Sequence, residues 1–272
     1  MAINEKQLQA LASSEQPLSE VEPSFKAAIY GPIGAGKTYG AFDIAMKLTD
    51  KEIVYIDYAE GWTAVKQHTD FEEIIKRTRR FQYGGMGQLE LLAEAIKTKA
   101  KGFENVGVII LDEYSSMVDN SLEQVVAKLY KENPSKYDEV LPEWPHFNRN
   151  KLICTKIHRA LNHIPGTHVI YLAHAKERIE EDTKRAYYEP NFNPSYGKDF
   201  LQDLQLVGMM TAEVRQDKYT RKIQVQPEKR VAAKNRLGLN TFVSPDKLAD
   251  AAIKFIGGKK EEKKSIQPDS VD

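Results

Sequence analysis

The chain has 272 residues, enough for one large α/β domain or two small ones around a substantial core. Its 39 basic and 39 acidic residues cancel, which excludes a global field for nucleic acid or membrane; an anionic partner has to be met by a local basic patch. The single cysteine, Cys154, excludes an intramolecular disulfide framework, suits a reducing compartment, and reads as core filler rather than as a nucleophile. No apolar run approaches the roughly 20 residues that cross a bilayer. The N-terminus lacks the basic start and apolar middle of a secretion signal. The expectation is a soluble cytoplasmic protein without membrane contact.

Residues 1–22 are polar and read as a tail or short helix ahead of a core spanning 23–256. Residues 25–30 form a short apolar strand, and residues 39–48 a helix with Phe42, Ile44, Ala45 and Leu48 available for packing. Between them stands Gly31, Pro32, Ile33, Gly34, Ala35, Gly36, Lys37 and Thr38, which meets the phosphate-binding P-loop pattern at every fixed position. Its glycines let successive N–H groups turn toward a phosphate. Lys37 supplies a mobile charge for the outer phosphates, and the Thr38 hydroxyl can ligate the accompanying magnesium. The helix that follows, from Tyr39 on, aims its positive end at the same anion. The chain therefore binds a nucleoside triphosphate, taken as ATP with Mg2+.

Further along, residues 53–57 read as a second strand, 89–99 as a helix, and the β-branched run 106–111 as a buried parallel strand. Residues 133–147 resemble an irregular insertion with exposed aromatic groups. Residues 150–163 read as a helix closed by Pro165 and Gly166, and 167–173 as another strand. The late runs 207–214, 220–225 and 230–234 suggest antiparallel strands with a turn near Gln216 and Asp217. The last residues, 257–272, are charged, low in complexity and read as disordered. The fold class is α/β: a mainly parallel sheet flanked by helices, extended by antiparallel strands at its C-terminal side.

The strand ending at Leu111 delivers Asp112 beside the phosphate loop, where it can hold a metal-bound water; the alternative is a helix N-cap. For the carboxylate that activates water, Glu60 and Glu113 compete. Glu60 follows the strand 53–57 onto the loop facing the phosphates, while adjacent residues at a strand end point to opposite faces, so Glu113 need not share the site with Asp112. Glu60 is narrowly favoured. His174 closes the strand 167–173 at the same edge and can touch the γ-phosphate or relay its presence; a structural histidine is the alternative.

The loop after His174 mixes Lys176, Arg178, Lys184 and Arg185 with Tyr187 and Tyr188, a combination that tracks phosphates and stacks on unpaired bases. Glu177, Glu180, Glu181 and Asp182 weaken its field. Lys76, Arg77, Arg79 and Arg80, followed by Phe81 and Tyr83, are a denser basic cluster, read either as phosphate contacts or as a solvated face.

The set, in this order and spacing, resembles the RecA-like ATPases, and especially the small phage nucleotide-binding proteins that act in single-strand annealing. The carrying residues are the P-loop at 31–38, Tyr-Ile-Asp-Tyr-Ala-Glu at 55–60, the strand ending in Asp112, Tyr-Leu-Ala-His at 171–174, and Ala-Lys-Asn-Arg at 233–236. The resemblance covers residues 25–240. It implies a RecA-like core, Glu60 as catalytic carboxylate and His174 at a sensor position. It also implies that Lys234 and Arg236 reach the triphosphate of a neighbouring subunit. The implied activity is DNA- or assembly-stimulated ATP hydrolysis by a homo-oligomer, ring or filament, on single-stranded DNA in the host cytoplasm, with a single-stranded-DNA-binding protein as a further partner. Two other readings remain: a P-loop small-molecule kinase, with residues 176–188 as its lid, and a nucleotide-gated protein-binding switch with negligible turnover. Glu113 departs from the family, whose relatives often place a small hydroxyl residue there.

Overall fold

The computed structural model describes residues 22–179, 184–215, 218–227 and 231–257. Residues 1–21 and 258–272 of the two expected tails, the turn at Gln216 and Asp217, and the acids Glu180, Glu181 and Asp182 lie outside the described residues.

The organising element is a mixed sheet. In chain order its strands are β1 (Lys26–Gly31), β2 (Glu52–Asp57), β3 (Thr78–Gln82), β4 (Val106–Asp112), β5 (His168–Ile179), β6 (Ala186–Pro190), β7 (Leu206–Arg215), β8 (Lys218–Gln224), β9 (Lys234–Asn235) and β10 (Phe242–Val243). The order across the sheet is β10-β8-β7-β1-β5-β4-β2-β3, with β6 on β5 and β9 on β7. From β3 to β7 the neighbours are parallel, while β8 turns back antiparallel on β7. The expected architecture, parallel core and antiparallel C-terminal strands, is present.

The central strands are buried on both faces, as parallel strands between helices must be. Alternate residues serve opposite cores. Ala28, Tyr30, Val54, Ile56, Ile109, Leu111 and Tyr171 face one cluster. Ala27, Ile29, Ile53, Tyr55, Val108, Ile110 and Leu172 face the other. Helices α1 (Lys37–Leu48) and α8 (Pro245–Phe255) pack together on the second face. Helices α4 (Met86–Lys97), α5 (Tyr114–Glu132), α6 (Trp144–Asn162) and α7 (Pro194–Gln202) cover the first. Two short helices, α2 (Trp62–Lys66) and α3 (Glu72–Lys76), lead from β2 to β3.

Two expectations change. The helix read from residue 150 starts at Trp144, because Pro145 suits a first turn and the Glu143 N–H donates to His146 Nδ1 at 2.9 Å. The insertion thus shrinks to residues 133–143, where Val140 and Leu141 stay exposed. The basic cluster at 76–80 is structural: Arg77 donates to the carbonyls of Thr49 and Lys51 after α1, Arg79 pairs with Glu52 and lies over Phe103, Arg80 pairs with Asp57, and Lys76 with Glu73.

Lys26 is buried at the start of β1, and its ammonium donates to the Thr167 carbonyl. Burial lowers it from the ordinary 10.5 to about 7. The folded protein therefore binds fewer protons than the unfolded chain between those values. The penalty is full below pH 7 and lifts as pH rises through that window. Lys26→Met is expected to raise stability at pH 7 by about 1–2 kcal/mol and to flatten its rise between pH 7 and 10.5, as read by thermal unfolding across that range.

Candidate functional site

Parallel register brings the C-terminal ends of the strands to one edge: Gly31 of β1 lies opposite His174 of β5, and Asp57 of β2 opposite Asp112 of β4. The loop after β1 folds over that edge. Ala35 N–H donates to the Pro32 carbonyl, and Gly34 and Gly36 both hold left-handed backbone, at φ of 80° and 81°. Only glycine adopts that conformation without strain. Gly36 caps α1, so the loop's N–H groups and the helix dipole converge on one point. Pro32, Ile33 and Gly34 are exposed, Ala35 and Lys37 buried, and Tyr39 half-buried.

Thr38 Oγ1 donates to Asp112 Oδ2 at 2.6 Å, and the Tyr55 hydroxyl donates to the same oxygen at 2.8 Å. Burial lifts the Asp112 carboxyl to about 6; those two hydrogen bonds and Lys37 act in the opposite direction. The hard oxygen pair of Thr38 and Asp112 fits Mg2+. No cluster of three His, Cys, Asp or Glu gathers among the described residues, and Mg2+ takes few protein ligands and completes its shell with phosphate and water. Gly61 closes over this pair. A Cβ there would stand 2.8 Å from Asp112 Oδ2 and 3.1 Å from Thr38 Oγ1.

Glu113 lies inside the cleft, against the expectation that a residue next to Asp112 need not share the site. The Asp112–Glu113 peptide is cis and α5 begins directly afterwards. Glu113 is 3 % exposed and lies 3.6 Å from the Lys37 ammonium and 3.7 Å from His174 Nε2. Its Oε1 accepts from Ser115 Oγ at 2.6 Å, and that hydroxyl in turn accepts from the His174 backbone N–H at 3.1 Å. Glu60 is exposed on left-handed backbone at φ 59°; its neighbours Ala59 and Gly61 line the cleft.

The cleft, about 610 Å³, is lined on its inner side by Lys37, Thr38, Asp112, Glu113 and His174. Tyr39, expected from the sequence beside the phosphate loop, lines it as well, together with His68, Tyr219 and Arg221, which the sequence did not single out. Tyr219 donates to the Gly34 carbonyl at 2.8 Å. Tyr219 and Arg221 sit on β8, some 180 residues from the loop they face, and no local motif announces them.

Lys234 and Arg236 are not part of this cleft. β9 joins β7 at Leu206 and Val207, in register with Ala27 and Ala28, at the opposite end of β1 from Gly31. The Lys234 ammonium donates to the Leu201 and Gln202 carbonyls at the end of α7, while Arg236 is exposed. The segment after His174 is a hairpin of β5 with β6 rather than a lid. Lys176, Arg178, Lys184 and Arg185 are exposed, and Tyr188 packs partly against the core.

A P-loop over a parallel sheet edge, with a threonine–aspartate oxygen pair and a buried lysine, defines the chain as a nucleotide-binding P-loop protein. A family model described as an AAA domain (AAA_24) matches residues 24–237, and the chain belongs to that family. Among solved structures, the RadB recombinase is 14 % identical over 83 % of this chain and 89 % of its own, with a TM-score of 0.42. The flagellar accessory protein FlaH from Methanocaldococcus jannaschii is 10 % identical over 82 % and 84 %, with a TM-score of 0.43. No curated protein matches the chain. No helix among the described residues is long and apolar enough to cross a membrane.

Gly61→Ala places a methyl group against the Thr38–Asp112 pair. It is expected to weaken Mg2+-dependent nucleotide binding roughly tenfold and to leave binding measured in chelator nearly unchanged. Titration of a fluorescent ATP analogue in both buffers checks this.

Proposed function

We propose that this protein hydrolyses ATP and uses the nucleotide state to control its grip on single-stranded DNA in recombination or annealing. The observation that carries the hydrolytic part is the buried Glu113 carboxylate, held between Lys37, Ser115 and His174 on the phosphate side of the cleft. Lys37 and the loop N–H groups bind and orient the phosphates. Glu113 accepts a proton from water as its oxygen attacks the γ-phosphorus in line, and the bond to the bridging oxygen of ADP breaks. Thr38 and Asp112 would hold Mg2+, which would supply charge neutralisation to the phosphate groups. Glu60, exposed beside Gly61, is the weaker candidate for the base.

Register supports the polymer-binding part. In the hairpin, Arg178 faces Tyr187 across the strands, Lys176 faces Glu189, and Glu177 faces Tyr188. Cross-strand partners share a face, so Lys176, Arg178, Tyr187 and the acid Glu189 lie on one face, and Glu177 and Tyr188 on the other. His174 leads directly into this strand. Assembly into a homo-oligomer, ring or filament, would let the exposed Arg236 serve a neighbour's cleft; a single-stranded-DNA-binding protein is a further partner under this reading. The kinase reading loses its lid, because no described residue between 176 and 188 lines the cleft.

Hydrolysis by Glu113→Gln is expected to fall about 10²–10⁴-fold with ATP binding retained, and by Glu60→Gln to change less. A larger loss for Glu60→Gln would reassign the base. Phosphate release with and without single-stranded DNA, alongside fluorescence anisotropy of the DNA, tests the partner. Stimulated turnover and binding that weakens steeply with salt are expected; turnover indifferent to DNA, with no anisotropy change at low salt, would exclude it.

A further inference from the structure

We infer that Arg221 is a phosphate-binding residue of the nucleotide cleft, delivered from β8 and held ready by two tyrosines; the inference rests on the nucleotide reading above. Its guanidinium carbon lies 3.6 Å from the centre of the Tyr39 ring and 4.9 Å from that of Tyr219. Both rings are themselves anchored: Tyr219 donates to the Gly34 carbonyl of the loop, and Tyr39 packs edge-on against Phe71 and His68. The side chain also lies directly on the phosphate loop. A Cβ built on Gly36, which holds left-handed backbone, would come within 2.4 Å of Arg221 Nε, so the side chain packs directly against that glycine's backbone.

Within the described part of the chain, the guanidinium meets two tyrosine rings and acts on Asp43 only at longer range. It has no ion pair there with any carboxylate, and its Nε–H is buried without a hydrogen-bond acceptor. Burial raises the Asp43 carboxyl, and at longer range the Arg221 charge acts to lower it, without an ion pair between them. A buried, unpartnered donor on a cation is costly to maintain. Tyrosine stacking offsets part of that cost, but it offers no acceptor. The cleft that Arg221 lines also holds Lys37 and the loop N–H groups, so the acceptor that fits is a phosphate oxygen. A nucleobase is the poorer fit, since the Tyr39 face beside the loop is already covered by the guanidinium. Arg221 is thus a second cation on the phosphates, opposite Lys37 and supplied by the same chain.

The test is equilibrium binding of a fluorescent ATP analogue to the full chain, competed by ATP and separately by inorganic tripolyphosphate, which has no base. Wild type, Lys37→Ala, Arg221→Gln and Arg221→Lys are compared, with thermal unfolding to confirm that each variant is folded. Arg221→Gln keeps a planar group for the stack and removes the charge. It is expected to weaken ATP and tripolyphosphate by the same factor, roughly 10- to 100-fold, with Arg221→Lys in between. Wild-type affinity for both ligands in folded Arg221→Gln overturns the inference. So does a loss confined to ATP, which would make Arg221 a reader of the nucleoside. If wild type binds neither ligand, or Lys37→Ala binds like wild type, the nucleotide reading itself fails, and that outcome is distinct from either result at Arg221.

Discussion

Strand register is the constraint on which the site depends. Gly31, Asp112 and His174 come from segments more than 60 residues apart, and only parallel pairing of β1, β5 and β4 brings their ends to one edge. A slip of one residue would turn every side chain of a strand to the opposite face. Asp112 would then leave Thr38, and Tyr55 would leave the core. The hydrogen bonds of Thr38 and Tyr55 to one carboxylate oxygen therefore report the register of three elements at once. The apolar alternation on both faces fixes the same register independently, since each strand has two cores to satisfy.

The charges of the cleft follow from that placement. Two buried carboxylates, Asp112 and Glu113, stand side by side, and the Glu113 charge adds to burial in raising the cost of ionising Asp112. Lys37 opposes this from one side, and donors from Thr38, Tyr55 and Ser115 oppose it from the others. Buried charge of this density is tolerated when every group has partners of good geometry. The Thr38 and Asp112 oxygens are consequently held in place by the fold itself.

The sequence makes the phosphate loop and the parallel strands legible because both are local. The loop's chemistry lies within eight consecutive residues, and a β-branched run such as 106–111 carries its burial in its composition. What stays hidden is what depends on pairing across the chain. Glu113 enters the cleft through the geometry of the strand-to-helix junction, which alternation along a strand does not foresee. Arg221 lies on a strand whose residues alternate normally, and only the position of β8 against the loop gives it a role. The cluster at 76–80, which the sequence left open between phosphate contacts and a solvated face, is a case where charge density alone does not decide. Its density of charge suggests a nucleic-acid patch, yet β3 is an edge strand, and its arginines secure the end of α1 and the neighbouring β2. Charged side chains on an edge strand also discourage pairing with other chains.

β5 joins the edge of the cleft to an exposed hairpin. Its first half is buried in the sheet, and its second half leaves the core to pair with β6 alone. His174 stands at the change-over. Its backbone N–H is held by Ser115, whose hydroxyl also donates to Glu113, so a shift of the Glu113 carboxylate is felt by the β5 main chain through one side chain. The outer half of the hairpin has little core to resist such a shift. Tyr188 ties the hairpin to the rest of the fold: its carbonyl accepts from the Tyr30 hydroxyl and from the Ala232 N–H, and its backbone bridges to Val231. β5 is thus continuous from a fully buried inner half, in the middle of the sheet, to an exposed outer half paired with β6.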